Sequence, residues 1–64
     1  MNPTVKYDRD ADAAYTRFSP DTVVESEEVA DGVVLDYDRD GRIVGMEVLD
    51  ARRHLSPELL NEAA

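Results

Sequence analysis

One stretch of this 64-residue chain has residue types and spacing that could do chemistry: Asp36-x-Asp38-x-Asp40-Gly41-x5-Glu47. It satisfies the pattern of an EF-hand calcium loop. Three carboxylates would ligate the cation, a glycine would make the sharp turn, Ile43 takes the usual apolar position and a closing Glu could bind through both oxygens. A divalent-cation site would therefore use Asp36, Asp38, Asp40 and Glu47. The flanks oppose it. An EF-hand needs a helix on each side, whereas Gly32-Val33-Val34-Leu35 and Val48-Leu49 are poor helix formers and good strand formers. An Asp-Gly pair between two β-branched runs is also the strongest short-range signal for a hairpin. In such a hairpin Glu47 lies more than ~15 Å along the strand from the turn, at ~3.4 Å per residue, too far to close a loop. The hairpin is the better reading, calcium capture the alternative, and no cofactor is expected.

The other chemistry-bearing residues are less pointed. Glu25, Glu27 and Glu28 could be read as paired carboxylates for acid–base work, but acids on one strand usually make a wetted face, and nothing marks one as buried with a raised pKa. They are better candidates for binding a partner. Asp8, Asp10 and Asp12 lack both the glycine and the closing acid of a calcium loop, so they read as a solvated turn. His54, the only histidine, follows two arginines and has no nucleophile at a suggestive spacing. Without a nucleophile–base pair, an enzyme is not expected.

Composition narrows the partners. Fifteen acids against seven bases give a formal charge of −8. Nucleic-acid binding is carried by clustered Lys and Arg, so a direct nucleic-acid ligand is not expected, and Tyr7, Tyr15 and Tyr37 sit among too many acids to stack bases. A basic protein partner, reached with electrostatic steering, fits better. Cysteine is absent, which removes disulfides and thiolate metal sites. No apolar run approaches the about 20 residues of a membrane span, and no charged-then-apolar leader opens the chain, so a cytoplasmic location without membrane contact is the expectation.

The elements that must position these residues follow from periodicity. Pivoting on a type I′ turn at Asp40-Gly41 sets Tyr37 opposite Val44, Leu35 opposite Met46 and Val33 opposite Val48. All six then share one face, and Asp36, Asp38, Ile43, Gly45 and Glu47 take the other. Tyr7-Asp8-Arg9-Asp10 recurs as Tyr37-Asp38-Arg39-Asp40, thirty residues on, which predicts two similar hairpins. Ala11 stands where Gly41 does, and Ala tolerates positive φ poorly. The first turn should therefore differ, with Asp10 or Asp12 in the left-handed region. The even offset puts Val5, Tyr7, Ala14, Thr16 and Phe18 on the same core face.

The whole reads as one domain, 1–64, of α+β class: a small antiparallel sheet of two similar hairpins plus a middle strand, with a short C-terminal helix. Strands are expected near 4–7, 13–18, 22–29, 33–38 and 42–49. Ser56-Pro57-Glu58 starts a helix over about 57–62, with Ser as N-cap and Pro at the first position. Leu55, Leu59 and Leu60 supply its apolar contacts. The core should hold Val5, Tyr7, Phe18, Val33, Leu35, Tyr37, Val44, Met46 and Val48.

Three stretches together resemble the small bacterial and archaeal family called domain of unknown function 2283. They are Val-Lys-Tyr-Asp-x-x-Ala-Asp-Ala-x-Tyr at 5–15, Glu-Ser-Glu-Glu-Val at 25–29, and Gly-Val-Val-Leu-Asp-Tyr-Asp at 32–38 with Asp-Gly-x-Ile-Val-Gly-x-Glu-x-Leu-Asp-Ala at 40–51. The resemblance covers about residues 4 to 55 and leaves the C-terminal helix outside. It implies a compact β-rich fold with no established activity. Some members look like partners of small toxin-like proteins in two-gene modules, which would make this chain antitoxin-like. It departs from the family at Ala14 and Thr16, where larger aliphatics are usual. That thinner core, in a chain too short to bury a large one, makes a homodimer the expected state.

Overall fold

The computed structural model describes residues 2–64; Met1, counted in the single-domain expectation, lies outside them. Strands β1 (Thr4–Asp8), β2 (Ala13–Arg17), β3 (Glu25–Ala30), β4 (Val33–Tyr37) and β5 (Ile43–Leu49) precede helices α1 (Ala51–His54) and α2 (Pro57–Ala63). All five strands form one antiparallel sheet in the order β1-β2-β5-β4-β3. This is the small α+β fold expected. The two similar hairpins, β1-β2 and β4-β5, join through β2 and β5. The third strand starts later than expected: 22–24 are not strand, although Val24 N already donates to Tyr37 O of β4 at 2.8 Å.

The β4-β5 hairpin keeps most of the expected register by an unexpected route. Val33 pairs with Val48 and Leu35 with Met46, but Tyr37 pairs with Ile43, not Val44. The turn is not type I′. Asp38 N donates to Arg42 O at 2.9 Å and Gly41 N to Asp38 O at 3.1 Å, with Gly41 at φ +80° and Asp40 outside the left-handed region. Arg39, Asp40 and Gly41 thus make a three-residue loop in which only the glycine needs positive φ. That loop shifts the pairing by one residue. A bulge at Val44, between Asp36 and Tyr37 on the facing strand, shifts it back. The Asp38 side chain selects this loop, accepting from Asp40 N and Arg42 N, both at 2.9 Å.

The first hairpin solves the same problem without a glycine. Asp8 Oδ1 accepts from Asp10 N at 3.0 Å and Ala11 N at 3.2 Å, echoing Asp38. Ala11 stays out of the left-handed region, and Asp12 takes it at φ 51°. Asp and Asn are the non-glycine residues that enter this region most readily.

Asp12 then fastens the helices. Its backbone carbonyl accepts from Ala51 N at 2.9 Å. Its carboxylate accepts from Arg52 N at 3.1 Å and from the Tyr7 hydroxyl at 2.7 Å, with Arg52 Nε at 3.3 Å. The residue preceding α1, Asp50, makes no side-chain cap, so Asp12 satisfies the helix's first two N–H groups from across the chain. Ser56 caps α2 as expected, its hydroxyl accepting from Leu59 N.

The helices so placed bury Ala14, Val48, Ala51 and Leu60 as one cluster, with Tyr7, Met46 and Leu55 packed against it. The core differs from the expected list in three ways. Val44 and Val48 are buried as expected, but Val5, Tyr7, Val33, Leu35, Tyr37 and Met46 are only half-buried. Phe18 lies past the end of β2 and is 39% exposed. Ala51 was not foreseen, because the turn of helix that carries it owes its position to Asp12, not to local signals.

Two outcomes test this account. Gly41→Ala should destabilise the chain by about 1 kcal/mol in urea unfolding, because open space surrounds the added Cβ and only the positive φ opposes it. Ala11→Gly should cost less, and a neutral Gly41→Ala would refute the loop geometry. The Tyr7 hydroxyl, and then the N–H and charge of Arg52, hold Asp12 below the usual carboxylate range against the opposing effect of burial. A depressed folded pKa stabilises above the unfolded value of about 3.9, and that stability is lost as pH falls through the folded pKa. Asp12→Asn should therefore flatten the fall in melting temperature below about pH 4. An unchanged acid profile would count against the anchor.

Candidate interaction surface

β3 is one edge of the sheet and every residue of it is exposed. Its alternation divides the three glutamates. Glu25 pairs with Tyr37 and Glu27 with Leu35, so both stand on the helix-bearing face. Glu28 pairs with Val34 on the opposite face, and its carboxylate accepts from Gly32 N at 3.3 Å. The structure thus brings Glu25 and Glu27 together and turns Glu28 away.

Between those two acids sits Tyr37, whose hydroxyl donates to Glu27 Oε1 at 3.3 Å. With Ser26 and Gly41 these residues line a shallow hollow of about 440 Å3. Burial, then the Glu27 charge and hydrogen bond, then Glu25, raise the Tyr37 hydroxyl above its ordinary range, so it stays a neutral donor. The hollow combines two carboxylates, neither in an ion pair among the described residues, with an aromatic ring. That is the chemistry that receives an ammonium or guanidinium group.

The four acids of the calcium-loop pattern go to separate tasks. Asp38 is held low by Arg42 N, then by Asp40 N and the Arg42 charge, and closes its own turn. Asp40 pairs with Arg42 Nη2 at 2.7 Å. Glu47 lies in β5 between Tyr15 and Val34. Asp36 accepts from the Tyr15 hydroxyl at 2.8 Å and the Ser26 hydroxyl at 2.6 Å. Among the described residues no three His, Cys, Asp or Glu side chains gather as a metal site would require.

The Asp36 bonds expose a device that periodicity alone did not reveal. Arg17, Gly45, Asp36 and Ser26 form one row across β2, β5, β4 and β3. Tyr15 reaches Asp36 from β2 only by passing over Gly45, where a Cβ would overlap its hydroxyl and lie 2.8 Å from Cζ. A glycine inside a strand is the available sequence signal for such a close approach. His54 is exposed, its Nε2 near Gly32.

A family model described as protein of unknown function (DUF2283) matches residues 4–52, and the chain belongs to that family. No curated protein matches the chain. No solved structure matches it. No helix among the described residues is long and apolar enough to cross a membrane.

The Tyr15 crossing is tested by Gly45→Ala, which should destabilise by about 1–3 kcal/mol by displacing the ring from Asp36. In a Tyr15→Ala background the same change should cost far less, giving a clear coupling energy in the double-mutant cycle. Additive losses would show that the glycine serves something other than the tyrosine.

Proposed function

We propose that this chain is a non-enzymatic interaction module of the cytoplasm that binds a basic segment of a protein partner at its acidic edge strand. The observation that carries the reading is the hollow in which Glu25 and Glu27 flank Tyr37. A Lys or Arg side chain entering it would meet two carboxylates and the ring face. The exposed backbone of β3 offers an approaching extended segment a row of N–H and C=O groups, the arrangement used in strand addition. The charge of −8 would steer such a partner in and reject acidic ones. Glu28, on the opposite face, adds to that field without touching the ligand. An antitoxin-like role, in which the basic segment belongs to a toxin-like protein, is one form of this reading. Self-association belongs beside it, supported by the exposure of Phe18, Val24, Val29 and Ile43.

Salt separates the two kinds of contact. Capture of basic proteins from a native lysate should be strong at low salt, fade as salt screens the carboxylates, and fall roughly tenfold for Glu25→Gln/Glu27→Gln. Glu28→Gln should stay near wild type. Self-association of a chain this acidic should instead strengthen with salt, read as mass in sedimentation. No capture at low salt, or equal loss from Glu28→Gln, would overturn the proposed site.

A further inference from the structure

At the β1 edge, the edge of the sheet opposite β3, a groove of about 400 Å3 separates α2 from the β1-β2 hairpin. That size is within the range of small-ligand sites. Its apolar lining comes from Tyr7, Leu55, Pro57 and Leu60, and its polar groups from Arg9, Arg52 and Asn61. We infer that this groove binds the free C-terminal end of a peptide whose last side chain is apolar.

Charge complementarity names the occupant. Over most of a chain of charge −8 an anion is repelled, yet here two guanidinium groups border an apolar floor. Arg9 forms no ion pair among the described residues. Arg52 engages Asp12 through Nε at 3.3 Å and its side chain is still 70% exposed, which leaves its terminal nitrogens available. A carboxylate at the rim would take charge-assisted hydrogen bonds from both arginines. The adjoining side chain would lie against Leu55, Pro57 and Leu60, where it loses contact with water. Asn61 carries a donor and an acceptor on one carboxamide, which matches the last peptide group of a chain. A fatty carboxylate has no peptide group beyond its carboxylate to pair with both. The groove differs from the acidic hollow in location and in the sign of its ligand, so the two readings stand or fall separately.

The test titrates the intact protein with three probes, followed by the backbone amide resonances: acetyl-Ala-Ala-Leu with a free carboxylate, the same peptide amidated, and octanoate. The free acid should move the resonances of Arg9, Arg52, Leu55 and Asn61 and bind roughly tenfold more tightly than the amide. Octanoate should bind more weakly than the peptide acid. Arg9→Gln, at an exposed residue, should reduce the acid to the amide's affinity and leave distant resonances in place. Equal binding of acid and amide, shifts confined to other regions, octanoate matching the peptide acid, or an Arg9→Gln protein that binds as wild type would each overturn the proposal.

Discussion

Asp12 is the residue on which the rest of the arrangement depends. It is left-handed because the turn needs one such residue and Ala11 is ill suited to provide it. That conformation completes the turn of the first hairpin and accompanies the hydrogen bond from Ala51 N to its carbonyl. Its carboxylate meets the Arg52 N–H and the Tyr7 hydroxyl together. One residue thus completes a hairpin turn, caps a four-residue helix and orients the tyrosine that borders both the core and the Arg9–Arg52 groove. A helix this short could not persist without such a tie, since nucleation is unfavourable and few bonds follow it.

The anchor also explains why the core is small and where it lies. The helices are held at the end of the sheet that carries the Asp12 turn, over Ala14 and Val48. Ala14 and Ala51 are 2% and 0% exposed, and their short side chains let helix and sheet approach closely. What close approach gains in packing it loses in volume, since each alanine contributes less apolar area than a branched residue would. The opposite face relies on polar connections. Tyr15 spans Gly45 to Asp36, and Asp36 continues to Ser26, so one chain of hydrogen bonds links β2, β4 and β3 above β5. That chain also uses the Asp36 carboxylate that the calcium-loop pattern had suggested for a cation.

Charge is unevenly distributed in consequence. The edge formed by β3 gathers carboxylates around Tyr37, while Arg9 and Arg52 border the groove beside β1 and α2. Each grouping combines formal charge with apolar or aromatic surface. That combination is what the two proposed binding sites rest on, where a uniformly charged face would only keep the protein soluble. The two lie on opposite edges of one sheet, so a single small domain keeps a carboxylate-lined surface and an arginine-bordered one apart.

Local patterns made most of the fold legible. Alternation identified the strands, the Ser56-Pro57 pair started α2, and the repeat around Tyr7 and Tyr37 announced two similar hairpins, because period and turn chemistry act over a few residues. The left-handed duty of Gly41 and of an Asp near Ala11 was legible for the same reason. Three features were not. The loop around Gly41 and the bulge at Val44 shift the register in opposite directions, so the pairing of Val33 and Leu35 came out as expected although the turn type did not. The division of Glu25 and Glu27 from Glu28 depends on which face of β3 meets Tyr37. The Asp12 anchor joins residues forty positions apart. The sequence by itself determined the elements, their periodicity and the charge they carry, since these depend on neighbours along the chain. Only the tertiary structure decided which acids meet which partners, because that depends on strand order and helix placement, which no local spacing encodes.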